Sequence, residues 1–135
     1  MRRAVHQMLD IPPVFKDEVA LSIVGPESAP ELTRGGRYDA PGTQYLRAFL
    51  AARSRYAEDE LARAVERGVR RYVILGAGFD TFAYRNPYAE YGLRVFEVDH
   101  PTTQAWKRAQ LDHCGISIPD SVTFVPVDFE RQTLD

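Results

Sequence analysis

The apolar positions fall into five stretches of different character. Up to about residue 40, only short apolar clusters occur, punctuated by Pro12, Pro13, Gly25, Pro26, Pro30, Gly35, Gly36 and Pro41. Proline removes a backbone donor and glycine loosens the chain, so this region predicts an irregular lead holding short helices at most. From Thr43 to Arg67 glycine and proline vanish, and Leu46, Phe49, Leu50, Leu61 and Val65 recur near helical spacing, with Gly68 placed as a stop; one or two helices are expected. Tyr72-Val73-Ile74-Leu75 is a short, partly β-branched run that breaks off at Gly76-Ala77-Gly78, the pattern of a buried parallel strand. Arg94 to Val98 predicts a second strand, followed by Asp99 and by a helix with Pro101 at its first position and its end near His113. Val122 to Val127 predicts a third strand, in which Pro126 demands an end, an edge or a bulge, with Asp128 just beyond.

Strands that alternate with helices imply an α/β fold with a parallel, Rossmann-like sheet. The expected organisation is a short-helical lead over residues 1–42 and the first part of an α/β domain over residues 43–135. A complete doubly wound domain usually needs a longer chain than 135 residues. The sheet is therefore expected to be unfinished, with an unpaired edge through which copies of the chain could associate.

Composition narrows the partners. Seventeen basic against nineteen acidic side chains leave a net charge of -2, which offers no electrostatic reason for a nucleic acid or an anionic membrane. No stretch approaches the roughly 18 apolar residues of a membrane span, and the start MRRAVHQML lacks the apolar run of a signal peptide. Cys114 stands alone, which rules out an internal disulfide and agrees with the reducing cytoplasm. His100, His113, Cys114, Asp99 and Asp112 lack a compact metal-ligand spacing, so no metal is expected.

The chemistry concentrates at the predicted strand ends. At Leu75-Gly76-Ala77-Gly78-Phe79-Asp80-Thr81 the missing Cβ atoms let the backbone turn tightly and lie against a ligand; a tight turn with no ligand is the bland alternative. Asp99 ends the second strand a little over twenty residues after Gly76, where a carboxylate can accept hydrogen bonds from both hydroxyls of a ribose. Glu97, two residues earlier on the same strand face, is the other candidate; Asp99 is preferred. Asp128 repeats the arrangement after the third strand. A dinucleotide fingerprint would want a third glycine near Thr81, and an acid at Asp80 would repel phosphates. Both points disfavour a nicotinamide-dependent oxidoreductase. S-adenosylmethionine, which pairs adenosine with an amino acid and carries no phosphate, fits better.

The run from Tyr72 to Arg85 closely resembles the signature of the leucine carboxyl methyltransferase family, and Val95-Phe96-Glu97-Val98-Asp99-His100-Pro101 with Lys107-Arg108 resembles its second-strand motif and helix. Val127-Asp128-Phe129 is similar to its third-strand pair. The resemblance implies the Rossmann-like sheet of a class I methyltransferase, the bacterial O-methyltransferase branch, and S-adenosyl-L-methionine as cofactor. It further implies that Arg53, on Ala51-Ala52-Arg53-Ser54-Arg55-Tyr56, grips the cofactor carboxylate, with Arg55 as fallback. Gly76 would contact its amino-acid part, Asp99 its ribose, and Asp128 with Phe129 its adenine, with Ala77, Gly78, Asp80 and Glu97 as the remaining cofactor-binding candidates. His6 and Arg3 fall near the active site by the same comparison. Two positions depart from the family: Phe82 where it often has Arg, and Glu18 where it has Pro.

The fourth strand, the acidic segment after it and the substrate-covering elements are expected beyond Asp135. The functional expectation is a methyltransferase acting on a carboxyl or hydroxyl oxygen of a small molecule, with a protein carboxyl terminus as another acceptor. Here it would be present as its cofactor-binding portion. An inactive remnant or association module is the alternative. No catalytic residue is assigned: Tyr38, Tyr45, Tyr84 and Tyr88 have no base paired to them by spacing. Trp106 is expected to pack in the core, and the arginines at 63, 67, 70 and 71 are read as paired surface charge among interleaved acids.

Overall fold

A computed structural model describes residues 2–24 and 41–133. Its elements, in chain order, are α1 (Arg2–Leu9), α2 (Glu18–Val24), α3 (Pro41–Glu66), β1 (Arg71–Leu75), a 3-10 turn (Phe82–Tyr84), β2 (Arg94–Asp99), α4 (Pro101–His113) and β3 (Val122–Pro126). The chain divides into two compact units, Met1–Ala64 and Val65–Asp135. The boundary between the units falls near the C-terminal end of α3, a single helix of 26 residues.

In the first unit α1 packs against α2, so the lead does hold the two short helices its broken pattern allows. Asp17, fully buried, caps α2 by accepting the Ala20 amide at 3.0 Å, the use an N-terminal carboxylate is suited to. Gln7 reaches from α1 to both backbone groups of Asp17, at 2.6 and 2.9 Å. Arg47, buried on α3, donates to both oxygens of Asp10 at 2.8 and 2.6 Å.

The second unit is built on a three-stranded parallel sheet in the order β1-β2-β3. Strand β2 is central, and its Val95, Glu97 and Val98 are buried beside Leu93. Pro126, which cannot donate to a ladder, is the last residue of an edge strand, one of the three positions open to it. Helix α4 buries Gln104, Lys107 and Leu111, a stripe at helical spacing in which two of three positions are polar. Trp106 falls off that stripe and is 62% exposed, packing edge-on against Phe79 at 4.3 Å. The expectation of a core tryptophan is thus corrected by the helix phase. On β1 Val73 and Leu75 are 53% and 57% exposed, so this strand is not covered on both faces as its apolar run had suggested.

Candidate functional site at the strand ends

Parallel pairing brings the C-terminal ends of all three strands to one edge of the sheet. The backbone amides of Gly76 and Ala77 both donate to the Val98 carbonyl, at 2.8 and 3.2 Å, and Val127 donates to the Asp99 carbonyl at 2.9 Å. The turn after β1 runs through Gly76 at φ +62° and Gly78 at φ +47°, left-handed conformations that a Cβ penalises. A Cβ on Gly76 would meet no atom within 4 Å, so the backbone conformation and not a collision requires glycine there. The same openness leaves room for a ligand to approach the main chain. Asp80 closes the turn: its amide donates to the Ala77 carbonyl at 2.7 Å, and its Oδ1 accepts the Phe82 amide at 2.9 Å. Phe82 is buried against the edge of Tyr72 at 5.4 Å.

Asp99 links this turn to the next helix. Its Oδ2 accepts the Gly78 amide at 2.5 Å and its Oδ1 accepts the amide of His100 at 2.6 Å. A carboxylate offers about four lone-pair sites, so one further acceptor site remains on each oxygen, the pattern two vicinal hydroxyls need. His100 caps α4, its Nδ1 accepting the Thr102 amide at 3.2 Å, which leaves Nε2 carrying the proton 3.9 Å from Asp128 Oδ2. Asp128 also accepts the Glu130 amide at 3.0 Å and lies 3.5 Å from the Arg131 guanidinium. His100, Asp128, Phe129, Glu130 and Arg131 line an open pocket of about 390 Å³, within the usual range for small-molecule sites. The Phe129 ring is 48% exposed there.

Glu97 occupies a different environment. It is 1% exposed, and the Lys107 ammonium donates to its two oxygens at 2.8 and 2.7 Å. The Tyr84 hydroxyl adds a third hydrogen bond at 3.0 Å. Burial pushes the Glu97 carboxyl above the usual carboxylate range, and Lys107 and then Tyr84 pull it back. Burial, with the charge of Glu97 beside it, likewise raises the Tyr84 hydroxyl well above its ordinary value. The carboxylate of Glu97 thus faces protein donors, whereas that of Asp99 retains open acceptor sites at the strand end.

Of the residues the sequence singles out, Gly76, Ala77, Gly78, Asp80, Asp99, Asp128 and Phe129 share this edge of the second unit. Arg53 lies on α3 in the first unit with an exposed side chain, and Arg55 is paired with Asp59 one helical turn on, at 2.8 Å. His6 and Arg3 also belong to the first unit. Both ring nitrogens of His6 are engaged: Nδ1 with Asp10 at 2.6 Å, and Nε2 accepting the Val14 amide at 3.1 Å. Arg3 lies 3.5 Å from Asp17. The pattern of the sequence gives no sign of the helix-capping place of His100 beside Asp128 or of the pairing of Tyr84 with Glu97. Among the described residues no three His, Cys, Asp or Glu side chains gather as a metal site would require, and no helix is long and apolar enough to cross a membrane.

The chain is 48% identical over 80 residues to the Bacillus subtilis protein YktD, which carries the provisional name of an S-adenosyl-L-methionine-dependent methyltransferase; the match covers 59% of this chain and 26% of that one. A Mycobacteroides abscessus protein with the same provisional name is 40% identical over 103 residues, 73% of this chain and 34% of its own. One from Parafrankia is 41% identical over 92 residues, 68% of this chain and 27% of its own. The chain thus spans about a quarter to a third of the length of these relatives. The leucine carboxyl methyltransferase family profile matches residues 1–135, in agreement with the glycine turn and the two strand-end acids, and the chain belongs to the leucine carboxyl methyltransferase family.

Proposed function

We propose that the chain forms the S-adenosyl-L-methionine-binding part of a methyltransferase whose acceptor is a carboxyl or hydroxyl oxygen of a small molecule. One observation carries the cofactor reading: the glycine turn, Asp99 and Asp128 converge on one sheet edge, with Gly78 bonded directly to Asp99. The donor set suits an adenosine-type ligand. Asp99 would accept the ribose hydroxyls, Asp128 and the Phe129 ring would flank the base, and the open backbone of Gly76 and Ala77 would lie along the amino-acid part. Arg53 is the candidate for the cofactor carboxylate, since a guanidinium can grip one bidentately. Bound there, the cofactor supplies an electrophilic methyl group. The protein's task is then alignment, the exclusion of water and, for a hydroxyl acceptor, removal of a proton. A carboxylate acceptor needs no such base; a protein carboxyl terminus is the alternative acceptor. The single cysteine, Cys114, supports work in the reducing cytoplasm.

Calorimetric titration with S-adenosylhomocysteine, beside a nicotinamide dinucleotide, tests the reading. Binding of the first alone, lost in Asp99→Ala, is expected. Preference for the dinucleotide would replace the methyltransferase by an oxidoreductase.

The exposed apolar side chains of Val73 and Leu75 favour a second reading, that of an association module without turnover, pairing through β1. A monomer by light scattering at high concentration would exclude it.

A further inference from the structure

Three segments meet beside the strand ends: the glycine turn with the 3-10 turn that follows it, strand β2, and helix α4. They are tied together twice. Asp99 makes the first tie, taking the Gly78 amide from the turn and the His100 amide from the head of α4. Two residues back on β2, Glu97 makes the second, taking the Tyr84 hydroxyl from the 3-10 turn and the Lys107 ammonium from α4. Lys107 also lies 5.1 Å from the centre of the Tyr84 ring. Gln104, one turn before Lys107, donates to the Glu97 and Val125 carbonyls at 2.9 and 3.0 Å and so fixes α4 along β2 and β3.

Stability alone does not account for this polar core. Taking an ion pair out of water costs several kcal/mol per ion, and apolar residues of the same volume often serve as well or better. What an apolar cluster lacks is direction. The two oxygens of one carboxylate set where the turn and the helix stand relative to the same strand, at the point where Asp99 must receive both.

We propose that Tyr84, Glu97 and Lys107 are positioning residues that hold the glycine turn and the head of α4 at the separation Asp99 needs to bind a nucleoside ribose. The ligand in this statement rests on the cofactor reading above; the placement of Gly78 and His100 does not.

Two variants test it. Tyr84→Phe cuts only the tie to the turn. Amide hydrogen exchange should then quicken at Gly78, by up to about tenfold for the loss of one hydrogen bond, while His100 is unchanged. The triple variant Tyr84→Phe, Glu97→Leu, Lys107→Met removes both members of the ion pair together. Its denaturation midpoint should stay near that of the parent chain, while exchange quickens at both Gly78 and His100 and S-adenosylhomocysteine affinity falls about tenfold or more. A merely structural role would instead move both amides in step with global stability in either variant. Unchanged exchange at Gly78 in Tyr84→Phe overturns the proposal, and so does a folded triple variant with parental exchange and affinity. If the parent chain binds no S-adenosylhomocysteine, the cofactor reading fails, and the amide measurements still decide the positioning role.

Discussion

The Gly78 amide donates to Asp99 Oδ2 at 2.5 Å while the opposite oxygen takes the amide of His100, so one carboxylate joins a strand-end turn to the head of the following helix. Asp99→Asn keeps the shape but turns one acceptor into a donor facing a backbone N–H. The expected cost is about 1–3 kcal/mol of stability, together with weaker nucleoside binding. Urea denaturation and calorimetry on the same preparation check both; an unchanged midpoint would mean that the two amides find other acceptors.

Gly76→Ala separates conformation from collision. The new methyl group meets nothing within 4 Å, yet φ is +62°, so the expected loss is about 1–2 kcal/mol from backbone strain alone. The denaturant midpoint should fall with the slope unchanged. A neutral effect would indicate that the turn can relax to a negative φ.

The strand-end part of the site is legible in sequence because it depends on local rules. A β-branched run stopping at glycine places a turn, and an acid after each of the next two strands must reach the same edge of a parallel sheet, as Asp99 and Asp128 do. The buried triad is not legible for the opposite reason. Tyr84 meets Glu97 across thirteen residues, a pairing set by how the 3-10 turn folds back on β2. Lys107 sits on a helix whose buried stripe, Gln104, Lys107 and Leu111, shows no apolar period. Trp106 invites a core assignment by its chemistry, and only the phase of α4 reveals that it faces outward. Glu97 and Asp99 look equivalent in sequence, and the donors around each tell them apart.

Phe82, one of the two positions that depart from the family pattern, has a structural reason. It is 3% exposed, its ring meets Tyr72 edge-on, and the Arg85 guanidinium lies 5.8 Å from its centre. Phe82→Arg, the residue the wider family often carries, would bury a cation beside the half-buried Arg85 guanidinium. A loss of about 3 kcal/mol or more is expected, against about 3–5 kcal/mol for Phe82→Ala, which leaves a cavity. If thermal unfolding finds Phe82→Arg as stable as the parent chain, the pocket has an acceptor ready for it.

Acid should weaken the first unit through Asp10. Its carboxyl is held at about 2, below the ordinary 3.8, chiefly by the hydrogen bond from Arg47 and further by His6, against some desolvation. Because the folded value is the lower one, the unfolded chain takes up the proton first as pH falls. The contribution of this carboxylate is therefore complete above about 4 and is lost as pH drops through about 2. A shift of this size corresponds to about 2 kcal/mol. Other carboxylates titrate in parent and variant alike, so the informative quantity is the stability difference between the parent chain and Arg47→Met. That difference should be constant near pH 5 and narrow by about 2 kcal/mol as the solution is taken to pH 2. Parallel stability curves over that range would show that Arg47 does not set the ionisation of Asp10.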